Sequence, residues 1–433
     1  MTMGKRAPVL LGVAALLVLS MPVGLLLQSP GWHGFVALAC AQAALYGVAA
    51  YVVIRHGAAR RVLVACLAAA ALMRAVALVA PPTLSTDVYR YVWDGRVQGA
   101  GINPYRYVPA DPALADLRDD AIYPNINRKD YARTIYPPGA QMIFFLVTRL
   151  APSVTAMKLA MVGFETVTVL LLLVVLRRAG LPDARVLLYA LHPLPAWEFA
   201  GSGHVDAAMI AFTCLALWLH QRGRTGASGA ALALASLVKP FPLALAPALY
   251  RRWDWRMPGA FILVAVAAYA PYLGVGAHVL GFLPTYLQEE GLETGIAFYP
   301  LWLLRTVLPV PTAAYLVGAS VALLALACVV VFGRERMDAD RWRDALRLAG
   351  AFLFLTSPHF PWYLAWLLPL ACLEPWVPAL WLVSTSFLLY LPVEFALVGS
   401  IAYGGFAILA LADRLRPFAL VPQEKSDVIG CAR

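Results

Sequence analysis

The sequence predicts an all-α polytopic integral membrane protein, and three observations point to that class. Hydrophobic residues make up 61% of the chain and charged residues only 13%, about half the charged share of a soluble domain. Apolar runs of about 20 residues recur, long enough as helix to cross a hydrocarbon core of about 30 Å. One long polar segment, Leu84–Gly139, stands apart and holds seven of the 24 carboxylates. A soluble fold is excluded because too few polar residues remain to cover its surface.

The positive charge indicates membrane orientation rather than a nucleic-acid partner. The formal net charge is +10, which alone is compatible with nucleic acid or anionic lipid. Most Lys and Arg residues, however, lie in short connections between apolar runs, the positive-inside pattern that orients helices in a bilayer. We therefore expect a lipid bilayer as partner and no nucleic acid.

The six cysteines predict no site. None lies in the polar segment, and none has the spacing of a zinc site or a thioredoxin motif. We expect no disulfide, no metal and no cofactor. The cysteines are Cys40, Cys66, Cys214, Cys328, Cys372 and Cys431.

The first three predicted membrane helices cover about 8–28, 33–54 and 61–80. The first has a basic tip like a signal peptide, but its apolar part is long and lacks a small-residue cleavage site, so we expect it to be retained. With Lys5 and Arg6 inside, the third helix ends outside the cytoplasm at Pro81-Pro82. Residues 81–153 then form a large extracytoplasmic loop that closes with a juxtamembrane helix over 139–150.

The rest of the chain alternates crossings with broken helices. Breaks at Lys239-Pro240 and at 357–361 predict two segments that enter the membrane and return, because proline interrupts a helix. The total is a bundle of about 14 transmembrane or half-membrane helices with both termini cytoplasmic. The predicted segments are 154–176, 185–199, 204–220, 227–250 (broken), 258–275, 312–332, 345–357 with 360–373, 376–391 and 398–415.

Polar residues away from the cytoplasmic loops all fall on the outer side in this topology. Broken half-helices of about a dozen residues reach only about 18 Å, so their tips lie below the outer surface, which requires a protein-lined or wet cavity. The sequence thus predicts a polar crevice that opens outward under the long loop. These residues are Asp87, Arg90, Asp94, Glu198, His204, Asp206, Lys239, His359 and Glu394.

Within the loop, Ser85 and Thr86 predict the start of a helix. On that helix Asp87, Arg90, Tyr91 and Asp94 share one face at spacings of three and four. Two carboxylates flanking an arginine suggest one general base and one structural partner. The alternative for Asp87 is that it only stabilises the helix N-terminus, where acids are favoured.

The other polar residues also have structural alternatives. Lys239 and His359 either snorkel to water or together bind an anion such as phosphate. His204 and Asp206 either bond to each other or take part in a site. Trp362 and Tyr363 fit an aromatic belt at the membrane interface, or a wall on which a sugar or lipid tail packs.

Several motifs resemble a known family. Ser85-Thr86-Asp87-Val88-Tyr89-Arg90-Tyr91, then Asp94-Gly95, Gly101-Ile102-Asn103-Pro104-Tyr105 and Tyr136-Pro137-Pro138, resemble the first extracytoplasmic loop of GT-C glycosyltransferases. The closest likeness is to bacterial polyprenyl-phosphate-mannose-dependent mannosyltransferases. Segments Gly203–Ala207, Val238–Pro242 and Ser357–Tyr363 are similar to segments at corresponding places in such proteins.

The resemblance implies a hexosyltransferase, most closely a mannosyltransferase. Such enzymes move a sugar with inversion from a polyprenyl-phosphate carrier to a glycan or lipid acceptor of the cell envelope. They lie in the bacterial cytoplasmic (inner) membrane with the active site facing the periplasm or exterior. The resemblance places the general base at Asp87. The substrate-binding candidates are Arg90, Asp94, Asn103, Tyr105, Tyr136, His204, Asp206, Lys239, His359 and Tyr363.

The loop follows the third helix here, whereas in many members of that family it follows the first. We therefore predict two extra N-terminal helices in 1–60, a GT-C-like catalytic domain in 61–416 and a cytoplasmic tail in 417–433.

Two other functions stay open. Broken helices with buried charges are also typical of a transporter or flippase of lipid-linked sugars, and an O-antigen-type polymerase or ligase would differ only in its donor.

Overall fold

The computed structural model describes residues 6–28, 32–333 and 338–415. Within these residues every regular element is a helix, so the all-α prediction is confirmed. The predicted tail at 417–433, and Lys5, lie outside the described residues. The helices are α1 (Ala7–Leu26), α2 (His33–His56), α3 (Arg60–Val79), α4 (Asp87–Gly99), α5 (Pro138–Leu150), α6 (Val154–Arg178), α7 (Pro193–Gly201), α8 (Asp206–Gln221), α9 (Thr225–Val238), α10 (Arg256–Leu280), α11 (Leu283–Glu289), α12 (Tyr299–Arg305), α13 (Thr312–Phe332), α14 (Asp338–Thr356), α15 (Pro361–Leu373), α16 (Val377–Tyr390) and α17 (Phe395–Leu415).

Among the described residues, seven helices are long and apolar enough to cross a membrane. The pair α7 and α8 is bent by 119° at its break and raises the count to eight if it is one span. The prediction of about 14 segments, which also counted half-helices, is not confirmed. The seven helices are α1, α2, α3, α6, α10, α13 and α17.

Both predicted helix breaks are present. Lys239 follows α9 in an extended conformation (φ −149°, ψ 143°), and the chain continues through short helical turns at Phe241–Leu245 and Ala246–Leu249. Ser357, just after α14, has a positive φ of 42°. The prolines at 240, 242, 358 and 361 explain why neither helix continues, because each removes a backbone donor and clashes with the preceding turn.

A group of N-terminal helices supports the rest. α1 packs against α2 and α3, and α3 also contacts α6. The Lys158 Nζ on α6 donates to the carbonyl oxygens of Ala77, Leu78 and Ala80 at 3.3, 2.9 and 2.5 Å, which satisfies acceptors that the end of α3 leaves unpaired. Farther along, Arg74 on α3 pairs with Glu165 on α6 at 2.9 Å. The two helices are therefore held in fixed register.

Residues 81–153 are folded rather than extended. α4 and α5 lie in this segment and pack against each other. Their contact is close at Gly95, where an added Cβ would lie 2.4 Å from the Phe144 carbonyl oxygen. The Tyr91 ring stacks on Phe144 with centroids 4.4 Å apart. The helix predicted to start at Ser85 and Thr86 is present and begins at Asp87, and the helix expected over 139–150 is confirmed. The packing of α5 against α4 supports the first turn of α4.

Candidate active site

Asp87 is the first residue of α4 and reaches the centre of a polar cluster. Ser85 Oγ accepts a hydrogen bond from the Asp87 backbone N–H at 3.2 Å. The Asp87 Oδ1 accepts from the Asn127 side-chain amide at 2.8 Å, and its Oδ2 lies 3.8 Å from the His204 Nδ1. The Asp87 side chain is 22% exposed, so this carboxylate has protein partners and also access to a ligand.

Behind Asp87, buried groups line up from His204 to Tyr390. The His204 Nε2 lies 3.4 Å from the Glu198 Oε2, and both side chains are fully buried. The other Glu198 oxygen accepts from the Tyr390 hydroxyl. The His204 ring stacks on Trp362 with centroids 3.9 Å apart. His204 is thus held between two carboxylates with its ring plane fixed by Trp362.

Lys239 and Asp206 form a second buried pair. The Lys239 Nζ donates to the Asp206 Oδ2 at 2.6 Å, whereas the Asp206 Oδ1 is buried without a hydrogen-bond partner. The Lys239 Nζ also lies 4.2 Å from the centroid of the Tyr363 ring. His204 and Asp206 therefore have different partners and are not bonded to each other, which corrects that alternative. His204 lies in the turn between α7 and α8, and Asp206 begins α8.

Arg90 and Asp94 contact protein groups. The Arg90 Nε donates to the Asp94 Oδ1 at 2.9 Å, and the guanidinium also donates to the Ala132 carbonyl. The Gln141 amide donates to the other Asp94 oxygen at 2.9 Å. The pair therefore ties α4 to α5 and to the loop at 132. Its assignment as a substrate contact stays a prediction.

The tyrosines of the loop motifs lie together on the flank of the cluster. Asn103 donates to the Tyr272 carbonyl at 3.0 Å, and the Tyr105 hydroxyl donates to the Tyr136 carbonyl at 2.7 Å. Burial raises the pKa of Tyr136 well above its ordinary value, and the negative charge of Asp87 adds to that increase. Tyr136 therefore lies within electrostatic reach of the candidate base, whereas Asn103 and Tyr105 support the loop.

His359 lies in a different set of contacts from Lys239. Its Nε2 is 3.3 Å from the Ala297 carbonyl oxygen, and its ring centroid is 4.0 Å from that of Phe395. Lys239 contacts Asp206 and Tyr363 instead. The hypothesis that Lys239 and His359 hold one phosphate together stays a prediction.

The segment after Ile126 links the cluster to α11. Arg128 has a positive φ of 52° and contacts Glu289 at 2.7 Å and Glu290 at 3.9 Å. The Tyr286 hydroxyl lies 3.3 Å from that of Tyr363. Burial raises the pKa of Tyr286 and of Glu290, and the charge of Asp87 contributes to both increases. The candidate site thus extends to α11.

Sequence reasoning missed several members of this cluster. Asn127 lies in a turn whose sequence has no metal-ligand spacing. Tyr286 and Tyr390 are two of 19 tyrosines, and nothing in the sequence around them distinguishes them from the others. Their partners are 40 to 192 residues away along the chain, so no local spacing could have identified them. Within residues 6–28, 32–333 and 338–415, no three His, Cys, Asp or Glu side chains are grouped to hold a metal ion.

A comparison with protein families gives one match. The model of a GT-C-type mannosyltransferase family, described as alpha-(1->6)-mannopyranosyltransferase, N-terminal domain, matches residues 3–254. That range is more than half of the chain, and it includes α1 and α2 as well as Asp87, His204, Asp206 and Lys239. No curated protein and no solved structure matches the chain.

Proposed function

The chain belongs to the GT-C-type alpha-(1->6)-mannopyranosyltransferase family, and on that premise we propose how this membrane mannosyltransferase works. It takes mannose from a polyprenyl-phosphate carrier and transfers it with inversion to a glycan or lipid of the cell envelope. The reaction takes place on the extracytoplasmic side of the bacterial cytoplasmic membrane. If the product is the α-(1→6) linkage in the family's description, inversion requires a β-configured donor.

One observation carries the proposal: among the carboxylates next to His204 and Lys239, Asp87 is the one that remains open to a ligand. The partly exposed Glu289 and Glu290 are paired with Arg128. Its side chain is 22% exposed, whereas those of Glu198 and Asp206 are fully buried. A general base must reach within hydrogen-bond distance of the hydroxyl that it deprotonates. Asp87 is the group that we propose for this role; the Asn127 amide fixes one of its oxygens, and His204 lies 3.8 Å from the other.

In this mechanism Asp87 removes the proton from the acceptor hydroxyl as that oxygen attacks the anomeric carbon. The bond from the anomeric carbon to the phosphate oxygen breaks on the opposite face, and the electron pair leaves with the lipid phosphate. The Asn127 hydrogen bond holds the base in position, and His204 and Glu198 lie behind it. Base catalysis of this kind typically contributes about 10²–10⁴-fold in rate.

The leaving phosphate gains charge and requires a cation. Lys239 is a candidate, because its ammonium has three donors and one is used by Asp206. A cation already in place stabilises the departing charge without reorganisation. Tyr363 lies under the ammonium and would exclude water from that contact. His359 and Arg90 stay further candidates for the phosphate.

The test is donor use by the purified protein in lipid vesicles. We expect mannose to move from mannosyl polyprenyl phosphate to an envelope-lipid extract, and no transfer from a nucleotide-linked mannose. Transfer from the nucleotide donor alone would contradict the proposed donor. Movement of the lipid-linked sugar between leaflets without a glycosylated product would favour a flippase, and transfer of a preassembled glycan would favour a polymerase or ligase.

A further inference from the structure

A cavity of about 850 Å³ lies between α1, α2, α3 and α6, at the end of these helices opposite the candidate active site. Arg60 begins α3 and lines the cavity, whereas Asp87 follows the other end of that helix. Twenty residues of helix span about 30 Å. The cavity and the Asp87 cluster are therefore separated by about the thickness of a hydrocarbon core.

The cavity wall is strongly basic. Among the described residues its lining includes five arginines, at positions 6, 55, 60, 177 and 185, and a single acid, Asp183. That carboxylate is already engaged by Arg177 through three hydrogen bonds of 2.8 to 2.9 Å. The other guanidinium groups therefore face the cavity region without a compensating acid in its lining.

Helix polarity makes two of these arginines unusual. Arg55 and Arg177 lie at helix C-termini, where cations are favoured. Arg6 and Arg60 lie instead at the N-termini of α1 and α3, where the macrodipole disfavours a cation. Neither N-terminus has a side-chain cap or an acid in its first turn. Two sets of backbone N–H groups and two guanidinium groups thus converge on one cavity, an arrangement that an anion would stabilise.

Two more observations indicate the kind of anion. The Nε of Arg55 is buried and has no hydrogen-bond acceptor. The cavity also has an apolar side formed by Leu10, Leu63, Leu67 and Leu173. A charged group with attached hydrocarbon matches both features, since arginine binds phosphate through paired donors and leucine side chains pack against acyl chains.

We propose that this cavity binds one anionic phospholipid, with the headgroup phosphate among Arg6, Arg55 and Arg60 and an acyl chain along the leucine side. The lipid ties α1 and α2 to α3 and α6 at the membrane surface away from the active site. The site is distinct from any donor or acceptor site at Asp87.

The experiment is native mass spectrometry of the purified full chain in detergent, with phosphatidylglycerol or phosphatidylethanolamine of equal acyl length. We expect the wild type to retain more phosphatidylglycerol than phosphatidylethanolamine. The double variant Arg6→Gln/Arg60→Gln should bind it about tenfold more weakly, because charged hydrogen bonds are lost. The control Arg251→Gln/Arg252→Gln removes the same charge from exposed positions and should bind as the wild type does.

A second variant separates binding from folding. Ala59 is the uncapped N-cap residue of α3 and lines the cavity, and aspartate is a favoured N-cap. Ala59→Asp should therefore melt no lower than the wild type but lose phosphatidylglycerol, because its carboxylate occupies the same donors. Three results would each overturn the proposal. They are equal retention of the two lipids by the wild type, retention of phosphatidylglycerol by either variant, and displacement of phosphatidylglycerol by inorganic phosphate alone.

Discussion

At the scale of single residues, exposure and not residue type distinguishes the candidate base. Asp87, Glu198 and Asp206 are carboxylates in one cluster, but only Asp87 has a partly exposed side chain. The sequence predicts Asp87 and His204 because both lie in recognisable motifs. It does not predict Asn127, Glu198 and Tyr390 as their partners, because these contacts join distant parts of the chain. The sequence therefore predicted that Asp87 and His204 belong to the site, but not which residues they contact.

The Asn127 amide should contribute to catalysis through its hydrogen bond to Asp87. We expect Asn127→Ala to lower kcat by about tenfold, since a hydrogen bond to a charged group is worth about 1.5–3 kcal/mol. The KM for the donor should change little. Asn125→Ala is the control, because Asn125 is exposed and its amide contacts only the nearby Ala121 carbonyl. Equal effects of the two substitutions on kcat would show that Asn127 has no role in the base.

At the scale of helices, the site depends on close packing at helix ends and breaks. The two breaks were predictable from proline, and the α4 and α5 helices from their first residues. The packing of α4 on α5 was not, because it depends on the absence of a side chain at Gly95 facing a backbone carbonyl. A glycine in a sequence does not reveal which helix approaches it.

Gly95→Ala should displace α4 from α5 and move the candidate base with it. The added Cβ would lie 2.4 Å from the Phe144 carbonyl oxygen, closer than any real contact. We expect a lower melting temperature and transfer activity reduced by about 10²-fold, as small misplacements of catalytic groups have such effects. Gly99→Ala is the control in the same helix, where the nearest atom is 3.5 Å away. If Gly95→Ala matched Gly99→Ala in both measurements, this packing would be unimportant.

The Lys239–Asp206 pair joins the break after α9 to the start of α8. Removing one partner leaves a buried charge, which typically costs about 3–5 kcal/mol. We expect Lys239→Met and Asp206→Leu each to lower the free energy of unfolding in detergent by about that amount, and the double variant to lose much less. The pair Arg256–Asp254, whose arginine is 75% exposed, is the control and should couple by no more than about 1 kcal/mol. Additive losses at Lys239 and Asp206 would contradict the proposed coupling.

At the scale of the whole molecule, composition alone predicted a helical membrane protein, and the structure and the family match agree with it. The number of spans was less predictable. Hydropathy does not distinguish a full crossing from a short helix that is buried within the protein, such as α15 or α16. The resemblance in the loop motifs predicted the family because those motifs combine several residues at fixed spacing. Which charges pair across the bundle required the three-dimensional structure.

The central claim is that Asp87 is the general base of a mannosyl transfer from a polyprenyl-phosphate donor. The direct measurement is single-turnover transfer of labelled mannose from mannosyl polyprenyl phosphate by purified protein in vesicles. Asp87→Asn should reduce the rate by about 10²–10⁴-fold while insertion and melting temperature stay unchanged. Asp116→Asn, an exposed acid of the same segment, should transfer at the wild-type rate. Transfer by Asp87→Asn at a rate close to that of the wild type would contradict the account.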